Sequence, residues 1–145
     1  MARYAAYQDR SRKELVQKLR DIGCPEESQE ELLEELQRLG FWDEERFARS
    51  YVRGKFRQKG WGRMKIRQGL WSKGVEGELA DLALQEEIEE EEYRELVEKE
   101  VEKRLNRIEG EPDFESKQKL RQQMMQRGFE NELVRKVLAR LLEDQ

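Results

Sequence analysis

SRKELVQKLRDIGC at residues 11–24, GRMKIRQGLWSKGV at 62–75 and SKQKLRQQMMQRGF at 116–129 align without a gap. In each copy, apolar residues stand eight and four positions before a glycine: Leu15 and Leu19 before Gly23, Ile66 and Leu70 before Gly74, Leu120 and Met124 before Gly128. Offsets of four share one face of an α-helix, and a glycine just past such a run suits the left-handed residue that closes it. An apolar residue follows at once, Cys24, Val75 or Phe129, where a chain commonly folds back on the helix end. Nine and ten residues beyond each glycine come Leu32 and Leu33, Ala83 and Leu84, Val137 and Leu138. Each copy therefore reads as helix, tight turn, helix.

The first two copies continue into a third helix, Asp43 to about Lys59 and roughly Ile88 to Ile108, whereas the third ends after two. The period of about 50 residues predicts an all-α fold, a tandem array of three-helix repeats with the third truncated, and no strand. KGWG at 59–62 and Pro112 in EGEPDF mark the breaks, so the repeats are expected at 1–60, 61–110 and 111–145 as one continuous array.

Composition tests that reading. Charged residues make up 43% of the chain and mean hydropathy is −1.10, values that raise disorder as a possibility. Leu, Ile, Val and Phe still account for 33 of 145 residues, and their helical spacing argues for a packed core. MARYAAYQDRSRKEL lacks the apolar segment of a secretory signal and no stretch approaches membrane-spanning length, so the expectation is a cytoplasmic protein without membrane contact. Cys24 is the single cysteine and there is no histidine, which removes an internal disulfide and the common zinc spacings and leaves Cys24 as a small core residue. Without a Gly-rich phosphate loop or a metal-ligand cluster either, the chain is not expected to be an enzyme or to need a cofactor.

Charge is strongly segregated. Between residues 46 and 73 stand ten basic residues and no acid: Arg46, Arg49, Arg53, Lys55, Arg57, Lys59, Arg63, Lys65, Arg67 and Lys73. Arg46, Arg49, Arg53 and Arg57 recur at spacings of three, four and four, a stripe beside the apolar positions Phe47, Ala48, Tyr51, Val52 and Phe56. Ten like charges repel one another, so the run is read as a surface for an anionic partner. Pairing within the chain, with the glutamates of 86–102, is the competing reading. Trp61 in the hinge and Trp71 among the bases are placed either in the core or beside the stripe, where an indole could pack on a partner. Asp43, just before an apolar helix, reads as an N-cap.

FWDEERFARSYV followed by KGWGRMKIRQGLWSKGV resembles the RecX family, regulators of the bacterial recombinase RecA. Asp43, Glu44, Arg46, Phe47 and Ala48 occupy one family block; Gly60, Gly62, Arg63, Ile66, Leu70, Lys73 and Gly74 occupy the next. Two departures are Trp61 between the glycines and Gly69 before Leu70, which costs about 1 kcal/mol of helix stability relative to Ala. The resemblance implies an elongated, curved stack of helical repeats and a non-enzymatic monomer in homologous recombination, DNA repair and the SOS response. It would bind the RecA filament on single-stranded DNA and mostly inhibit its recombinase, ATPase and coprotease activities, with weak direct contact to DNA. Trp61, Trp71 and the ten bases of 46–73 are then the expected filament-binding residues. The alternative from charge pattern alone is a direct DNA-binding module of helix-turn-helix-like repeats.

Overall fold

The computed structural model describes residues 10–40 and 42–143, so the reading of the first nine residues lies outside it. Among the described residues are eight helices and no strand: α1 Arg12–Asp21, α2 Glu26–Arg38, α3 Glu44–Arg57, α4 Arg63–Ser72, α5 Gly77–Glu87, α6 Glu90–Leu105, α7 Phe114–Gln126 and α8 Asn131–Glu143. None is long and apolar enough to cross a membrane.

The three aligned copies form α1, α4 and α7, and all three close in the same way. Gly23, Gly74 and Gly128 have φ of 82°, 87° and 94°, a region that other residues enter only with strain. Past each, the amide of the apolar residue reaches the carbonyl five back: Cys24 to Leu19 at 2.8 Å, Val75 to Leu70 at 2.9 Å, Phe129 to Met124 at 3.1 Å. The glycine amides bond to Arg20, Trp71 and Met125, completing the paired bonds of a Schellman cap. Helix starts are equally local. Ser11 and Glu14 form a capping box on α1, and Asp113 accepts from the Ser116 amide at 2.8 Å on α7. Asp43 caps α3, accepting from the Arg46 amide at 3.2 Å.

The chain groups into two compact units. One holds the residues up to Arg53 together with Arg67–Glu87; the other holds Gly54–Ile66 together with Ile88 onward. Helices α3 and α4 thus contribute to both. In the first unit α1 packs on α2 through Leu15, Leu19, Leu33, Leu36 and Trp42, with Cys24 half-buried against them. Phe47, Ala48, Val52, Leu70, Val75 and Leu84 are buried there too. In the second unit α6, α7 and α8 pack together over Val97, Val101, Leu120, Met124, Phe129 and Leu138, and Phe56, Ile66 and Tyr93 are buried.

Candidate partner-binding surface

Helix α3 begins at its Asp43 cap, and 3.6-residue geometry then aligns Arg46, Arg49, Arg53 and Arg57 beside the buried Phe47, Val52 and Phe56. In the first unit the C-terminal turn of α5 brings Glu86 and Glu87 to this row. Arg49 donates to Glu87 at 2.9 Å and pairs with Glu86 at 3.2 Å and Glu45 at 3.7 Å. Arg53 grips Glu87 with two nitrogens, at 3.0 and 3.1 Å. The hydrogen bonds from Arg53, and then those from Arg49, hold the Glu87 carboxyl below the usual carboxylate range despite the desolvation that opposes them. On α4 of the same unit Arg67 pairs with Asp81, and Lys73, at the helix end, lies 3.8 Å from Glu14. Trp71, four residues after Arg67, is 65% exposed.

The second unit treats its share of the run differently. Arg57 reaches Glu92 at 3.5 Å. Arg63, at the first turn of α4, is bound on three sides: Glu90 at 2.8 Å, Glu130 at 3.0 Å, and the Tyr93 ring 3.9 Å below its guanidinium. The Tyr93 hydroxyl accepts from the Arg63 amide at 3.1 Å and donates to Glu130. Burial, and after it the bond to Glu130, pushes that phenol far above its ordinary value, so it stays protonated. Trp61 is half-buried with two ammonium groups over its ring, Lys55 at 4.7 Å and Lys65 at 4.3 Å. Lys59 is exposed, its carbonyl accepting from Arg127 at 3.0 Å.

The glycines of the hinge have a geometric role. Gly62 donates to the Arg127 carbonyl at 2.8 Å and Met64 to that of Gly128 at 2.9 Å, so two glycine backbones lie against each other. A Cβ on Gly62 would lie closer to the carbon and oxygen of the Gly128 carbonyl than packed atoms approach.

Of the predicted residues, Arg49, Arg53, Arg57, Arg63, Arg67 and Lys73 all carry acidic partners, most of them on α5 and α6. The Arg46 side chain is exposed at the start of α3. Pairing within the chain therefore occurs, although the side chains of Arg53, Arg57 and Arg67 remain 53–56% exposed. Sequence reasoning passed over the bases of α7 and α8. Lys117, Arg121 and Arg135 have no acid within ion-pair distance among the described residues, but residues 116–145, with seven bases and four acids, mix both signs and lack a basic run as dense as that of 46–73.

Three family descriptions match the chain: the first three-helix domain of RecX over residues 1–36, the second over 43–84 and the third over 90–138. A regulatory protein RecX from Prosthecochloris aestuarii is 31% identical over 141 residues, covering 96% of this chain and 89% of that one. Another from Limosilactobacillus reuteri is 35% identical over 130 residues, but this chain spans only 48% of its length. The crystal structure of RecX from Lactobacillus salivarius superposes with a TM-score of 0.86 at 27% identity, over 97% of this chain and 91% of that one.

Proposed function

The chain belongs to the RecX family, and from that premise we propose that it is a non-enzymatic regulator that binds the RecA filament on single-stranded DNA and lowers its ATPase, strand-exchange and coprotease activities. The observation that carries a binding role for α4 is Trp71. A tryptophan 65% exposed on a helix whose other face is buried contributes nothing to the core, and with Arg67 one turn away it forms the pairing of residue types that most often anchors an interface. Arg53 and Arg67 keep half their side-chain surface open, and ion pairs in that setting contribute little, so their acids can be exchanged for acidic groups of a filament protomer. Occupying the filament groove in this way obstructs the incoming duplex by position alone, without a cofactor. The repeats at 1–60, 61–110 and 111–145 are part of this reading, as is a cytoplasmic monomer with weak contact to DNA.

The test is ATP hydrolysis by RecA on single-stranded DNA with increasing amounts of this protein. Hydrolysis should fall, and Trp71→Ala should weaken inhibition at least tenfold while leaving helicity and thermal unfolding unchanged. Hydrolysis unaffected by the parent protein ends the reading; full inhibition by Trp71→Ala removes α4 from it.

A further inference from the structure

The helix pair α7 and α8 carries a groove whose chemistry differs from that of the paired surface on α3 to α5. Two adjoining hollows of about 500 and 450 Å³ share Arg121 and Arg135 in their walls. Along α7, Phe114, Lys117, Arg121 and Met125 recur at spacings of three, four and four, one stripe of an α-helix. Arg135 faces them from α8. These three cations have no acidic partner among the described residues, and the one acid in the walls, Glu132, lies 3.6 Å from Lys136. The Arg121 guanidinium is held in place by the Gln118 amide oxygen at 2.5 Å.

Three further features narrow the ligand. Phe114, 76% exposed, and Met125, half exposed, stand at the two ends of the α7 stripe and line the same hollow. Between them the walls present the amides of Gln122 and Asn131, which both donate and accept hydrogen bonds. A peptide of Asp and Glu would use the cations and, through its backbone, the amides, but leave the phenyl ring idle. A single-stranded nucleic acid uses all of them: phosphates on the cations, a base stacked on the ring, base edges on the amides. Lys117 and Arg121 lie about 6 Å apart along the helix axis, enough for each to take its own phosphate.

We propose that the α7–α8 groove binds single-stranded nucleic acid directly, with Lys117, Arg121 and Arg135 on the phosphates and Phe114 under a base. The inference rests on the weak DNA contact of the reading above and gives it a place. The site uses none of the residues assigned to the filament, and it is tested with no recombinase present, so inhibition of RecA and this binding can fail separately.

Fluorescence anisotropy of a labelled oligothymidylate, titrated with the full chain over a range of salt, reads the site. Three phosphates neutralised on a single strand give a log–log salt slope of about −2. Lys117→Ala/Arg121→Ala/Arg135→Ala should lose at least tenfold in affinity and most of that slope. Phe114→Ala should weaken binding about fivefold or more while keeping the slope. Arg94→Ala/Lys99→Ala/Lys103→Ala, which removes the same charge from exposed positions of α6, should stay within about twofold of the parent. Circular dichroism checks that each variant keeps its helices; if the triple variant does not, Phe114→Ala and Arg135→Ala carry the test singly. The proposal is overturned if the groove variants bind like the parent, if the α6 control loses as much as the groove triple, if duplex of the same length binds more tightly, or if a polyglutamate peptide of equal charge displaces the strand as well as unlabelled oligothymidylate does.

Discussion

Gly69 stands inside α4, where an alanine would ordinarily add about 1 kcal/mol of helix stability. Its reason is steric. A Cβ at this position would run into the Tyr51 ring, within 2.9 Å of Cζ and closer to the hydroxyl, and the atoms it would approach most closely all belong to that one side chain. Gly69→Ala should therefore destabilise the protein by about 1–2 kcal/mol, overpacking outweighing propensity. With Tyr51→Ala already present, the same change should become stabilising by about 0.5–1 kcal/mol. Urea unfolding of the four proteins checks this; a Gly69→Ala effect of the same sign in both backgrounds would show that Tyr51 is not the cause. Tyr93 makes the complementary point, because its hydroxyl serves two partners at once, the Arg63 amide and Glu130. Tyr93→Phe takes this acceptor from the Arg63 amide and leaves Glu130 with the Arg63 guanidinium alone, and should cost about 1–3 kcal/mol in the same assay.

At the scale of helices, much of the molecule was legible because its signals are local. Cap glycines and apolar offsets of four lie within one helix of each other, and Asp43, Gly23, Gly74 and Gly128 all act as their positions imply, while the caps at Ser11 and Asp113 carry equally local signals that went unread. The segment 86–102 is one of the two alternatives for the basic run, and Glu86, Glu87, Glu90 and Glu92 of it do pair with that run; which arginine meets which acid could not be read. Arg63 continues the stripe by spacing, yet its guanidinium is fixed by Glu90 and Glu130, 27 and 67 residues away, and no periodicity reports such a separation. Nor could spacing place Glu87 between Arg49 and Arg53, 38 and 34 residues earlier. This α3–α5 link has a pH signature. Because the folded-state pKa of Glu87 lies below its unfolded value of about 4.3, its contribution is present at neutral pH and is lost as pH falls through the folded value. Glu87→Gln should thus unfold at lower temperature than the parent at pH 7, and the difference should shrink as pH drops below about 4. A difference independent of pH would mean that Glu87 acts through packing alone.

On the scale of the whole chain, a formal charge of −4 says little about how an acidic partner is met, since a neighbouring molecule feels the local field and its desolvation rather than the sum. Removing the acids instead of the bases separates the two things the arginines could be doing. Arg49 pairs with Glu86 and Glu87 and Arg53 with Glu87, so any partner that recruits those guanidiniums must first break these pairs. Glu86→Gln/Glu87→Gln puts amides of the same size in place of the carboxylates, lowers the negative charge by two, frees Arg53 and leaves Arg49 with Glu45 alone. If the arginines serve the RecA filament, the double variant should inhibit ATP hydrolysis about two- to fivefold more strongly than the parent, the range expected when an exposed competing ion pair is deleted. It should also unfold at lower temperature, because the link between α3 and α5 is gone. Opposite movement of potency and stability is the expected outcome, and it cannot come from damage to the fold, which would lower both together. Equal or weaker inhibition by a folded double variant would assign Arg49 and Arg53 to the architecture and leave Trp71 and the rest of α4 as the surface the filament meets.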